Sequence, residues 1–415
     1  MKLKQTLKGR ILFTNLLIVI VIFLVFTILT HTSNGGTEEK PVDNVSSSNY
    51  LTPPWQFKGL QMQSNNLQLF HLTYLAMSDS GEIVVVSGSS QMYSFNVSEG
   101  TVQNFSTIEA IECIDVSSGG ITVGGSSMIV GNQDHGVVSC FDENGMFLWN
   151  YTTGGPVSSI KISSDGRYIV AGTEHNPSGI AKIMFFSVNG SLLWMENAYK
   201  SSFEVTSVDI TPDGEYVAAG TDYNKVYLFS NNGAKILDYT TYGPIDAGYT
   251  YRYRGTDPGQ YVALSDDGTY LAAGSLDRYV YMFSNNGTRL WRYKGERPFC
   301  VTDITSDGSR IVSVSDDGTI FFFNRTGSLL WTYDTGSIIR SIKTDSSGDL
   351  IVAGASNSEI YCLNGSGDLI GNYTAKGGVT DVEMSEDGSY ISAISEGGVI
   401  YFFGRDDLCN RDTVV

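Results

Sequence analysis

The chain has 415 residues, 41% hydrophobic and 17% charged, enough apolar content for a buried core and too little charge for a disordered polymer. A formal net charge of −18 excludes nucleic-acid binding through the phosphate backbone, and five cysteines in this length exclude a disulfide-stapled scaffold. Forty-six Gly against nine Pro, with 24 Tyr and 20 Phe, points to many short strands joined by tight turns.

In chain order, residues 1–10 form a cationic tail carrying Lys2, Lys4, Lys8 and Arg10. Residues 11–30 (ILFTNLLIVIVIFLVFTILT) carry no charge. As a helix they span about 30 Å, the thickness of a bilayer's hydrocarbon core. No basic residue follows until Lys40, so the positive-inside rule keeps the N-terminus cytoplasmic and places the rest outside. The reading is a signal anchor at the cell membrane. The competing reading, a cleaved signal peptide, needs an apolar core of about 7–15 residues and a small-x-small site, which ILTHTS fits poorly. Both export the remainder. Residues 31–54, rich in Ser, Asn, Gly and Pro, read as a flexible stalk.

From residue 55 to about 405 the chain repeats itself. YVAAGTDYNKVYLFSNNGAKILDY (216–239), YLAAGSLDRYVYMFSNNGTRLWRYKG (270–295) and RIVSVSDDGTIFFFNRTGSLLWTYDTG (310–336) are versions of one unit. The small residue closing the second strand is read at Gly88, Asn132, Gly172, Gly220, Gly274, Val314, Gly354 and Ile394, giving eight repeats. Each holds four alternating runs, a to d. Asp-Gly or Ser-Gly joins a to b, and Asn-Gly or a variant joins c to d, supplying the positive φ that two-residue hairpins need. Eight four-stranded meanders predict an all-β, eight-bladed β-propeller. The last repeat lacks a strand d, and Trp55-Gln56-Phe57-Lys58-Gly59 matches Trp291-Arg292-Tyr293-Lys294-Gly295, so the N-terminal strand is expected to complete the last blade. Residues 406–415 are left as a C-terminal tail.

The element [S/T]-x-D-G-x-Y-[I/V/L]-x-A-G resembles WD-type repeats. The element [D/N]-x-N-G-x-x-L-W-x-Y, from Asp142 to Tyr151 and again near Trp194, Trp291 and Trp331, resembles repeats of the pyrroloquinoline-quinone (PQQ) type. The resemblance to this quinoprotein-like propeller family covers residues 55–405 and implies Trp docking between blades. Quinoprotein dehydrogenases also carry adjacent cysteines and a calcium-quinone site of Glu, Asn and Asp. This chain has no Cys-Cys pair, and those ligands do not match residue by residue. No cofactor is therefore expected from the resemblance.

In such a ring the a–b and c–d turns share one face, and the b–c and d–a loops share the other. Here the first set is short and stereotyped, and the insertions fall in the second. The longest insertion, 240–258, holds Tyr249, Tyr251, Arg252, Tyr253 and Arg254. Tyr and Arg are enriched at binding hot spots, but the alternation also fits an extra hairpin. Asp134-His135 and Glu174-His175 sit 40 residues apart, a metal candidate against ordinary loop contacts. Asp222, Asp277, Asp316 and Glu396 form an acidic rim suited to calcium or to capping their own turns. Asp115, Lys161, Asp209, Asp303, Lys343 and Glu383 recur on the inner strand and are expected to pair beside a wet channel.

Nine N-x-S/T sequons begin at Asn44, Asn96, Asn104, Asn150, Asn189, Asn286, Asn324, Asn364 and Asn372. They are candidates for glycosylation of an extracellular surface; Asn-Gly turns produce the same pattern by accident. Most of Cys113, Cys140, Cys300, Cys362 and Cys409 read as buried single thiols. No G-x-S-x-G, H-E-x-x-H, P-loop or C-x-x-C occurs. The sequence therefore favours a membrane-anchored binding scaffold at the cell envelope, with a protein or glycan partner, over the alternative of a quinone-dependent oxidoreductase.

Overall fold

The computed structural model describes residues 55–58, 72–88, 91–99, 101–106, 110–130, 133–176, 178–200, 203–245, 260–396 and 398–409. They form eight antiparallel four-stranded sheets. Blade 1 spans 72–106, blade 2 111–152, blade 3 157–200, blade 4 205–240, blade 5 262–294, blade 6 299–334 and blade 7 339–374. Blade 8 joins 379–404 to the N-terminal strand Trp55–Lys58, whose register runs from Trp55 opposite Phe402 to Lys58 opposite Val399. The ring thus closes as the repeat pattern requires. Closure by strands from both ends removes an open sheet edge. Among the described residues no helix is long and apolar enough to cross a membrane; the apolar run 11–30 lies outside them.

Strands b and c carry the core. Their β-branched and aromatic side chains point alternately to the two neighbouring blades, so both faces of each sheet are buried. Between blades 1 and 2, for example, Ala76, Val85 and Met92 pack on Ile111, Ile114 and Phe141. Strand d is the outer edge, and in blades 2, 3, 5 and 6 its Trp completes the joint to the next blade. The indole N–H groups of Trp149, Trp194, Trp291 and Trp331 donate to the carbonyls of Val188, Asn231, Arg325 and Gly365, all in the c–d turn of the next blade. Glycine is obligatory where those rings land. Gly327 has φ +81°, and a Cβ there would sit 2.7 Å from Trp291.

Three sequence expectations need correction. The index residues of blades 1 and 2 are Ser87 and Gly125, not Gly88 and Asn132. Ala76 pairs with Val85 and Asp115 with Val123 just as Lys161 pairs with Val170, and the index follows two residues later. Blade 2 misled because its strands b (Thr122–Val130) and c (Gln133–Phe141) are each nine residues long, and the hairpin runs past the others. Asp134-His135 therefore does not occupy the index of Glu174-His175: it lies on strand c, with His135 opposite Met128. Second, the single-thiol reading holds for Cys113, Cys140 and Cys300 but not for Cys362 and Cys409, which form a disulfide across a separation of 47 residues. Third, residues following the last strand form helix α1 (Arg405–Cys409), which buries Leu408 and Cys409 against blade 7. The pairing was hidden in the sequence because only the tertiary fold returns the C-terminus to blade 7.

Candidate functional site

Strand a lines the central channel. As the inner edge of each sheet it presents backbone N–H groups that no strand covers, and buried N–H groups demand acceptors. The inner charges supply them. Asp115 accepts the Ile162 N–H (2.8 Å), Asp209 the Leu264 N–H (2.7 Å) and Asp303 the Thr344 N–H (2.8 Å). Each carboxylate reaches the next blade. Ser159 and Ser207 do the same one step along, accepting the N–H groups of Val208 and Tyr261. The expected pairing also forms. Lys161 lies 3.6 Å from Asp115 and Lys343 lies 3.2 Å from Glu383, and Lys343 reaches Gln260 at 3.1 Å. Ala76 and Ala263 hold the same register in blades 1 and 5, completing the ring.

Burial governs the titration of this ring. It pushes Asp209 up to about 6, against the pull of Lys161, and raises Asp115 and Asp303 too. Burial and the repulsion of Glu383 push Asp381 upward. For Lys161, burial alone acts downward, but Asp115, Glu383 and Asp209 outweigh it and hold the ammonium charged. A cavity of about 180 Å³ lies on the a–b side of this ring, and one of about 50 Å³ on the other. Lys161, Gln260, Lys343 and Glu383 line both.

The mouth of the larger cavity carries residues the motif reading passed over. Asp79, Asp266 and Glu386 each follow the Ser that opens an a–b turn, as in Ser265-Asp266-Asp267-Gly268. Partial burial, then the repulsion of Asp79 and Asp266, pushes Glu386 up to about 7, although it stands at the surface. Burial and Asp79 also raise Asp266. The signal was available in the acidic residue after the turn-opening Ser of Ser78-Asp79, Ser265-Asp266 and Ser385-Glu386.

On the opposite face, the described loops show the expected irregularity over blades 2 to 5. The b–c turns of blades 4 to 8 repeat one feature, a left-handed residue at the end: Asn224, Arg278, Gly318, Ser358 and Gly398. Each turn also donates a backbone N–H to the loop entering its own blade, as from Asp316 to Pro298 and from Glu396 to Gly378. The departures are the long hairpin of blade 2, the 174–179 loop and lengthened strands of blade 3, and the segment between blades 4 and 5. Phe203 and Tyr223 face each other there, with ring centroids 4.5 Å apart. Tyr242 is 77% exposed, with the Arg292 guanidinium 5.7 Å from its ring. Tyr249, Tyr251, Arg252, Tyr253 and Arg254 lie outside the described residues.

The acidic rim is engaged locally. Arg297 pairs with Asp316 (3.0 Å), Arg340 pairs with Glu396 (2.8 Å), Asp277 accepts the Tyr281 hydroxyl (2.5 Å), and Asp222 accepts the Glu204 N–H (2.8 Å). Asp134 and His175 are exposed, and His135 and Glu174 half-buried. Among the described residues no group of three or more His, Cys, Asp or Glu is placed to hold a metal ion.

Comparison with known proteins bears on the architecture. The family model for the outer membrane protein assembly factor BamB matches residues 105–248 and 252–410. Among solved structures, the chain is similar to BamB from Moraxella catarrhalis, with TM-score 0.58 and 17% identity over 80% of this chain and 95% of that one. It is also similar to Sqt1 from Chaetomium thermophilum (0.62, 14%, 81% and 96%) and to the computationally designed protein Ika8 (0.64, 15%, 81% and 97%). At these identities the likeness is one of fold. A search of curated proteins finds no match.

Proposed function

The chain belongs to the family of the outer membrane protein assembly factor BamB, and from that premise we propose that it is a membrane-tethered, extracytoplasmic propeller that holds a protein partner at the cell envelope. The observation that carries this reading is the irregular sector over blades 2 to 5, set among described b–c turns that in blades 4 to 8 repeat one form. Uniform loops serve closure; irregular loops on a rigid scaffold are where recognition is usually found. Tethering is supported by the uncharged run 11–30 with its cationic N-terminal flank. Export is supported by the Cys362–Cys409 disulfide, since such bonds persist in oxidising compartments.

A calcium-held quinone suits these residues poorly. Asp115, Asp209 and Asp303 are already committed to backbone amides of the next blade, and the chain has no adjacent cysteines. The test is site-specific photo-crosslinking in cells. A probe at His175 or Tyr223 is expected to capture a discrete envelope protein, and a probe at Asp213 or Asp307 on the other face is not. Equal capture from both faces would refute the docking sector; capture of polysaccharide alone would move the partner class from protein to glycan.

A further inference from the structure

The same turn is built twice on one face of the ring, with two different side chains at its centre. In the a–b turns, Asp165, Asp213, Asp267, Asp307 and Asp387 accept the backbone N–H two residues on and the hydroxyl two residues back. In the c–d turns of blades 3, 4 and 5, Asn189, Asn232 and Asn286 make the same two bonds through Oδ1. An ionised oxygen makes the stronger bond, so Asp is the better residue for turn stability alone. The amide nitrogen does nothing for the turn. Of these two sets only the c–d turns use Asn, while on the other face Asn176 and Asn357 also accept the N–H two residues on; at Asn189 and Asn286 a Ser or Thr follows two residues later. Asn232, followed by Ala234, shows that the turn does not require that hydroxyl.

A second, independent position behaves alike. In strand d, the residue after the docking Trp or its equivalent points outward. It is Asn150, Asp238, Arg292, Thr332 and Asn372 in blades 2, 4, 5, 6 and 7, all exposed. The fold therefore asks for no particular residue there, yet Asn150 is followed by Thr152 and Asn372 by Thr374. Every sequon among the described residues lies in a c–d turn or a strand d, on the outer rim. None lies in the b–c or d–a loops or in the channel.

We propose that Asn150, Asn189 and Asn286 are N-glycosylation sites, and that the glycans clothe the outer rim while leaving the irregular docking sector bare. These three are the sequon asparagines that are exposed and whose Nδ2 meets no partner among the described residues. By contrast, Nδ2 of Asn372 donates to Glu359 (2.9 Å) and Nδ2 of Asn364 to Asp368 (3.1 Å). Asn96, Asn324 and Asn364 are half-buried. The glycan donor is a lipid-phosphate-linked oligosaccharide. Nδ2 attacks the anomeric carbon, the C–N bond forms, the C–O bond to phosphate breaks, the lipid phosphate leaves with the electron pair, and the transferase removes one Nδ2 proton. At Asn189 and Asn286 the turn keeps both Oδ1 bonds after this reaction. A glycan on Asn150 also covers Leu148, two residues back on the same outward face and 48% exposed.

The inference rests on the export reading, and two measurements separate them. The full chain is purified from membranes of the cells that produce it, and intact vesicles are treated with protease in parallel. Glycopeptide mass spectrometry is expected to find oligosaccharide on the peptides of Asn150, Asn189 and Asn286. Asn189→Asp, which keeps the turn's acceptor, should lose one glycan mass with thermal stability no lower than that of the wild type; Thr152→Ala should lose the glycan at Asn150. A chain in the extracytoplasmic compartment with unmodified peptides at all three sites overturns the inference and leaves export intact. A chain on the cytoplasmic side overturns both.

Discussion

Asp209 tests whether the channel charges are structural staples. Burial lifts its carboxyl from an ordinary 3.8 to about 6. The raised value means that the folded protein prefers the protonated form. The carboxyl's contribution to stability is fully present below pH 3.8 and is lost as pH rises through about 6. Asparagine resembles the protonated form and keeps an oxygen for the Leu264 N–H at 2.7 Å. The shift of about two units corresponds to roughly 3 kcal/mol, and screening by channel water reduces that to about 1–2 kcal/mol. Asp209→Asn is therefore expected to raise the urea midpoint at pH 8, with the gain shrinking to nothing by pH 4. Asp209→Ala removes the acceptor as well and should be less stable than the Asn variant by about 1–3 kcal/mol at both pH values. The assay is urea unfolding followed by Trp fluorescence, with both variants beside the wild type. If Asn lowers the midpoint at pH 8, or if its effect is the same at pH 4, the carboxylate is not a charge buried at a cost and the staple argument fails.

Three further outcomes are expected. Reducing Cys362–Cys409, or replacing Cys409 with Ser, opens a 47-residue loop and should lower stability by up to about 4 kcal/mol in denaturant titrations with and without reductant; an unchanged midpoint would show that α1 holds its place without the bond. Trp331→Ala removes a ring stacked 4.8 Å from Phe322 and a hydrogen bond to Gly365, and should cost about 2 kcal/mol in the same assay; a loss below 0.5 kcal/mol would show that the joint to blade 7 does not depend on it. Glu386 should titrate near 7 by carboxyl carbon NMR, and Asp266→Asn should bring it down, because Asp266 contributes to the repulsion; a midpoint near 4.5 in the wild type would remove the crowding inferred at the channel mouth.

Local chemistry carried most of this fold into the sequence. Turn dipeptides, alternating apolar runs and the Trp of strand d each act over a few residues, so the blade count, the strand order and closure by Trp55–Lys58 were legible before any coordinates. Register failed where local chemistry gave no marker, in the overlong hairpin of blade 2, and this false alignment paired Asp134-His135 with Glu174-His175. The inner charges could be found by their recurrence. That they serve as acceptors for the next blade's free N–H groups depends on the radial stacking of sheets, which no single repeat contains. The union of Cys362 with Cys409, the facing of Asp79, Asp266 and Glu386 across the channel mouth, and the outer placement of the sequons likewise come from the closed ring. Closure brings residues hundreds of positions apart within reach of one another, and only there does their chemistry become a shared property.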